Sequence, residues 1–212
     1  MSILKNELNL YKFDFVIICA GVGMKKCAQE PEESERINVI NTIRLIDNCA
    51  LNNCFIIFLS SIKVFNGKVP YYDIDSKTTL DSNYGRYKLS VENHIRKNFN
   101  SSACVLRLTK VITNKPDFIE MWNKECSEGK EITVYKNHFL SPLPANLVIK
   151  TILLLVKKKM PRLYHLGVDE EISYHNYAKK VFFKNEKALS LLKPVTDSSP
   201  IYNSLITDLP LN

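Results

Sequence analysis

Glycine is scarce in this chain, at six residues in 212. No segment reads as a strand, a G-x-G-x-x-G turn and a helix, the arrangement that cradles a dinucleotide pyrophosphate. The nearest approach is Gly21-Val22-Gly23, which follows an apolar run and precedes a helical pattern. Lys26 stands where the third glycine belongs, and no strand-end acid follows at the proper distance, so this is read as a loop. No apolar run approaches the roughly 20 residues that span a bilayer. The first run is interrupted by Asp14 and lacks a leader's cleavage pattern, so no membrane partner is expected. The six cysteines include no C-x-x-C pair. Cys19 and Cys104 fall inside apolar runs as small hydrophobes, so a reduced, cytoplasmic protein is expected rather than a disulfide framework. His94, His138, His165 and His175 show no metal-ligand spacing, and no metal site is expected. The net charge of +7 is spread out. Its one lysine triple, Lys157-Lys158-Lys159, follows Ile152–Val156 and reads as the basic end of a helix, so no nucleic-acid partner is expected.

What is present is ordinary globular material, 45% hydrophobic and 24% charged, in a chain long enough for a real core. Hydrophobic periodicity predicts strands over 14–20, 54–60, 103–109, 131–135 and 163–167. It predicts helices over 31–51, 83–98, 116–128, 144–158 and 173–184, and an extended, proline-bearing tail over 190–212. Strands alternating with helices indicate an α/β fold with a parallel sheet.

Tyr84-Gly85-Arg86-Tyr87-Lys88 carries the most chemistry. Tyr84 and Lys88 are four apart at a helix start, which stacks them on one face. A free tyrosine titrates near pH ~10, and an ammonium beside it favours the phenolate, so a lowered tyrosine pKa is expected. That would make the phenol usable in acid–base chemistry. Upstream, Phe55-Ile56-Ile57-Phe58-Leu59-Ser60-Ser61 reads as a buried strand delivering a hydroxyl to the ligand edge of the sheet. Ser61 is the preferred hydroxyl and Ser60 its rival by one residue. Arg107, inside the next apolar strand, reads as a structural ion pair at least as readily as a cofactor contact.

These pieces resemble the extended short-chain dehydrogenases/reductases, and within them the dTDP-4-dehydrorhamnose reductase-like sugar-nucleotide reductases. The matching segments run in family order: DFVIICAG (14–21), INVINTIRLIDNCA (37–50), FLSSIKVFNG (58–67), YGRYKLSVE (84–92), VLRLTKV (105–111), SPLPANLV (141–148) and YHLGVDEEISYHNYAKKV (164–181). The resemblance implies an incomplete Rossmann-like, doubly wound parallel sheet with a small C-terminal substrate-binding portion. The expected division is 1–112 for the dinucleotide portion and 113–212 for the substrate portion, interleaved with sheet elements over 144–167.

The resemblance further implies an NAD(P)-dependent reductase of a nucleotide-activated 4-keto sugar, with NADPH or NADH as cofactor. Tyr84 would be the general acid, Lys88 its partner and a ribose ligand, Ser61 a hydrogen-bond donor to the substrate oxygen, and Asn38 a support for the lysine through water. Ala20, Gly21, Ser60, Tyr84 and Lys88 would meet the cofactor, and Asn83, Ser141 and Pro142 the nucleotide sugar. A mild positive field suits such an anionic substrate. Met1 falls just before what resembles the family's fourth strand. Two βα units, on the order of 60 residues, would then precede it in the family. A truncated or mis-started chain is therefore expected, with poor dinucleotide binding of its own. The alternatives are a non-catalytic binding or regulatory protein on the same fold, or a sugar-nucleotide epimerase or dehydratase. A homodimer is left open.

Overall fold

A computed structural model describes residues 13–19, 21–114 and 116–209. The chain forms two compact units, neither continuous in sequence. The first takes the described residues up to Val64 together with Leu80–Arg107 and Thr151–Tyr164. The second takes Phe65–Thr79, Leu108–Lys150 and the described residues from His165 onward.

The first unit holds most of a four-stranded sheet. Its strands are β1 (Phe15–Ile18), β2 (Phe55–Ser61), β3 (Ala103–Leu108) and β8 (Arg162–Leu166), in the spatial order β1-β2-β3-β8. β1 and β2 are parallel, with Phe15 opposite Phe55 and Ile18 opposite Phe58. The continuous apolar run of β2 is explained by burial on both faces: Ile56, Ile57 and Phe58 are at most 1% exposed. Ile18, Ile56, Phe58, Ala103 and Val105 pack against Ile46, Cys49, Val91 and Ile95 from two helices.

The first of those helices is more broken than its periodicity predicted. α1 (Met24–Gln29) precedes the expected start and stops at Glu30, whose φ of −131° leaves the helical region. Pro31 follows, and a residue before proline is pushed out of the α region. α2 (Pro31–Glu35) then starts with proline at its first turn, runs through a π-helical turn over Arg36–Asn41, and continues as α3 (Thr42–Leu51). The second helix, α4, spans Asn83–Asn98 as predicted, and Ser82 caps it by accepting the Gly85 N–H. A Cβ at Gly85 would collide with the Lys63 carbonyl, so only glycine lets α4 sit this close to the segment after β2.

The second unit contains α5 (Asp117–Ser127), α7 (Tyr174–Val181) and α8 (Glu186–Ser190) around three two-stranded sheets. β5 (Ile132–Tyr135) pairs in parallel with β10 (Leu192–Val195). β4 (Lys110–Ile112) pairs in parallel with β7 (Pro142–Pro144), and β6 (Phe139–Leu140) pairs antiparallel with β9 (Ile172–Ser173). α6 (Ala145–Lys158) follows β7. Trp122, Cys126, Ile132, Val134, Ala178, Phe182 and Ala188 form this unit's core. The segment from residue 190 is not a bare tail. Besides β10, Ile201 bridges His138, Leu205 bridges Tyr72, and buried Ser204 accepts the Tyr71 N–H while donating to Glu171. Pro194 is tolerated because a two-stranded sheet leaves each strand an open side.

Among the described residues β1 pairs on one side only, and its outward residues Phe15 and Ile17 are 45% and 36% exposed. Such an edge templates association, and a lysine on it blocks pairing. The wild-type chain is expected to self-associate with rising concentration in sedimentation velocity, and Ile17→Lys to stay monomeric. A wild type that sediments as a clean monomer at high concentration overturns this. A separate expectation concerns Gly85. Gly85→Ala should lower the midpoint of thermal unfolding, because backbone rather than a flexible side chain blocks the new methyl. An unchanged midpoint in calorimetry refutes the close contact.

Candidate active site

Three consecutive residues of β2 engage three residues of α4 spaced a turn apart. Leu59 accepts a hydrogen bond from Lys88 Nζ through its carbonyl, at 2.8 Å. Ser60 donates its hydroxyl to the Glu92 carboxylate. The Ser61 side chain hydrogen-bonds the Tyr84 phenol. The 3.6-residue repeat puts positions 84, 88 and 92 along one face of α4, and the end of β2 presents itself to that face. Lys88 Nζ also lies 4.7 Å from the Phe58 ring centroid and 5.8 Å from that of Tyr84. An ammonium at such distances is attracted by the ring faces.

The protonation states follow from burial. Burial pushes the Tyr84 pKa up, the nearby Cys27 thiol adds to the rise, and the Ser61 hydrogen bond opposes it. The lowered tyrosine pKa expected from sequence is therefore not found: desolvation of the phenolate outweighs what favours it. At neutral pH Tyr84 is a protonated phenol, hence a proton donor. Burial also pulls Lys88 down to about 8, against Glu92, Cys19 and Cys27, which favour the ammonium.

The remaining expected site residues divide clearly. Asn38, expected to support Lys88 through water, makes its direct contacts with the loop after β1. Its Oδ1 accepts the Val22 N–H at 2.8 Å, and its Nδ2 donates to the Val22 carbonyl at 2.9 Å and to Cys27 Sγ at 3.4 Å. It holds the loop after β1, from within the π-helical turn. Gly21 has a φ of +153°, and a Cβ there would come within 2.9 Å of Asn38 Oδ1. Gly21-Val22-Gly23 is thus a loop locked by a side chain, and its central N–H is already spent. Ala20 lies outside the described residues. Ser60 is committed to Glu92, which leaves Ser61 as the hydroxyl beside Tyr84. Asn83 Nδ2 donates to the Cys27 carbonyl at 3.1 Å. Ser141 and Pro142 belong to the second unit. There Ser141 Oγ donates to the Val168 carbonyl at 3.0 Å, and Pro142 stands opposite Lys110. Cys19 is exposed, one residue past β1, rather than buried within a strand.

Sequence reasoning did not single out Glu92. Its carboxylate is fully buried and receives Arg107 Nε at 3.1 Å on both oxygens and Nη2 at 2.6 Å. Two signals pointed to it. Arg107 in an apolar strand needs a buried acid, and Glu92 is four residues beyond Lys88. Cys27 was also passed over, although its Sγ donates to the Val22 carbonyl beside Asn38. Among the described residues, no group of His, Cys, Asp or Glu is arranged to hold a metal ion, and no helix is long and apolar enough to cross a membrane.

A parallel sheet packed against helices places the chain in the Rossmann-like class of dTDP-4-dehydrorhamnose reductase folds. The chain belongs to the RmlD substrate binding domain family, whose profile matches residues 2–203. It is 25% identical over 177 residues to the dTDP-4-dehydrorhamnose reductase of Escherichia coli (strain K12), matching 80% of this chain and 58% of that protein. The chain thus spans under two thirds of that relative's length. Among solved structures, the dTDP-4-dehydrorhamnose reductase of Clostridium acetobutylicum has a TM-score of 0.84 at 19% identity, covering 96% of this chain and 75% of that one. The enzyme of that name from Bacillus anthracis, in complex with NADP, has a TM-score of 0.84 at 19% identity, covering 97% and 75%. At these identities the structures speak to the fold.

Lys88 makes a pH-dependent contribution whose sign is fixed. Its folded pKa, about 8, lies below the ordinary value of 10.5. Below the folded value the lysine is charged in both states, and the cost of burying the ammonium is fully present. Between the two values the unfolded chain holds more protons, so that cost fades as pH rises. Urea unfolding at about pH 7 and about pH 10 should show wild type gaining stability relative to Lys88→Met. A pH-independent difference between the two proteins refutes the buried ammonium.

Proposed function

We propose that this chain acts as a reductase of a nucleotide-activated 4-keto sugar, using NADPH or NADH. The observation that carries the proposal is the Tyr84 phenol, kept protonated by burial and flanked by Ser61 and Lys88. Family membership and the relatives named dTDP-4-dehydrorhamnose reductase support it.

A bound dinucleotide would supply a hydride to the carbonyl carbon, with the carbonyl π electrons moving to oxygen. Tyr84 gives its phenolic proton to that oxygen, which leaves a hydroxyl and a tyrosinate. Ser61 hydrogen-bonds the same oxygen and stabilises its developing charge. The Lys88 ammonium lies beside the tyrosinate and stabilises it until solvent returns the proton. A buried ammonium has three donors, and the described contacts give one to Leu59, so Lys88 can also hold the nicotinamide ribose. The far end of the dinucleotide fits less well. The Val22 N–H is taken by Asn38, and the helix after this loop has six residues. Gly21 leaves the edge beside β1 without a side chain. Asn83, Ser141 and Pro142 are proposed contacts of the nucleotide sugar.

The test is oxidation of NADPH by the purified chain with dTDP-4-dehydrorhamnose. The dinucleotide is held at about millimolar, since the Val22 N–H is already taken by Asn38 and a weak Kd is allowed for. Turnover is expected, and Tyr84→Phe should lower kcat by about 10²–10⁴-fold with little change in dinucleotide affinity. Lys88→Ala should harm both. Near-full activity of Tyr84→Phe would overturn the assignment. Absence of both turnover and NADPH binding would favour a non-catalytic protein on this fold.

A further inference from the structure

The proposed reaction uses Tyr84, Lys88 and Ser61 and leaves the neighbouring buried charges without a role. Glu92 is fully buried, Arg107 is 2% exposed and Ser60 is 5% exposed. Arg107 reaches both oxygens of the Glu92 carboxylate, and Ser60 adds a third donor. One carboxylate therefore ties α4 to β2 and to β3. It does so one turn beyond Lys88 and two turns beyond Tyr84.

We propose that Glu92 is a positioning residue for the Tyr84–Lys88 pair, fixing the register of α4 on β2 and supplying the counter-charge of the Lys88 ammonium. The inference deepens the reductase reading and rests on it for its functional meaning. The groups that face Lys88 make the electrostatic part specific. From its own helix come Tyr84 and Glu92. From α1 and the end of β1 come Cys27 and Cys19. From β2 come the Leu59 carbonyl and the Phe58 ring. Glu92 comes first among the charges that favour the ammonium against burial. Arg107 prevents that carboxylate from turning toward Lys88 and collapsing into a direct ion pair, so the lysine stays beside the phenol.

The experiment follows the Lys88 titration by NMR of isotope-labelled lysine side chains, assigned with Lys88→Arg. It needs neither sugar nor dinucleotide, so its outcome is separate from that of the turnover assay. Wild type should titrate near 8. In Glu92→Gln the Arg107 charge is left uncompensated, and the Lys88 midpoint should fall by about one pH unit or more. In Glu92→Gln/Arg107→Met both charges are gone, so folding is retained even if the single variant fails. Its midpoint should lie below wild type and above Glu92→Gln. A purely structural pair would leave the midpoint where it is. A wild-type midpoint in the folded double variant, or in folded Glu92→Gln, overturns the proposal.

Discussion

Glu92 and Arg107 meet inside the first unit, and both are removed from water. Desolvating two such groups costs several kcal/mol each, and only close pairing with saturated hydrogen bonding offsets it. The arginine is placed by β3, in the apolar run Val105-Leu106-Arg107-Leu108. The carboxylate must then be placed by α4 at one position along the sheet, because removing either partner leaves a buried charge at about 3–5 kcal/mol. The helix loses its freedom to slide. Lys88 lands at the Leu59 carbonyl and Tyr84 at Ser61, each one helical turn further on. Gly85 permits this depth of docking, since any side chain there meets the Lys63 carbonyl. One ion pair and one missing methyl set the geometry of the hydroxyl pair.

Burial then decides the chemistry that this geometry can perform. It favours the neutral form of every ionisable group, so it raises a phenol and lowers an amine. For Tyr84 it prevails over the Ser61 hydrogen bond, and for Lys88 over Glu92. The outcome is a phenol that keeps its proton and an amine poised near neutrality. A phenolate would suit an oxidation that removes a proton from a hydroxyl. A protonated phenol suits a reduction that delivers one to an oxyanion. The direction of the burial effect thus agrees with the reductive reading better than the lowered tyrosine pKa expected from spacing alone.

Much of the first unit was legible because its signals are local. The run Phe55–Ser61 reads as a doubly buried strand, and the helical pattern over 83–98 coincides with α4. The i, i+4 spacing of Tyr84 and Lys88 put them on one face. What was missed depends on pairing. The grip of Asn38 on the Val22 backbone was not foreseen, and it is made from within a π-helical turn. No propensity signals such a turn. Glu92 was hidden because a glutamate on a helix is usually solvated, and only its match with Arg107 shows that this one is not. The stretch after residue 190 read as loose from its prolines. Its order comes from pairings such as Leu192 with Ile132, which are 60 residues apart in sequence. Long-range pairing of short strands leaves almost no periodicity to read.

The arrangement at Tyr84 is also hard to explain as packing alone. A leucine or methionine at position 88 would fill the same space beside Phe58 without the burial that drags the ammonium down to about 8. A phenylalanine at 84 would keep the ring contact and need no hydroxyl partner. Stability favours apolar groups at both positions, as replacing buried ionic groups by apolar ones of similar volume often shows. The Glu92–Arg107 pair can be justified by the register it imposes, but a register needs neither a phenol nor an amine. A protonated phenol, a serine hydroxyl and a costly ammonium side by side therefore point to use rather than to folding. Such strain on stability is what functional sites retain. A scaffold that only binds would gain by losing Lys88 and the Tyr84 hydroxyl, whereas a reductase would lose its proton donor.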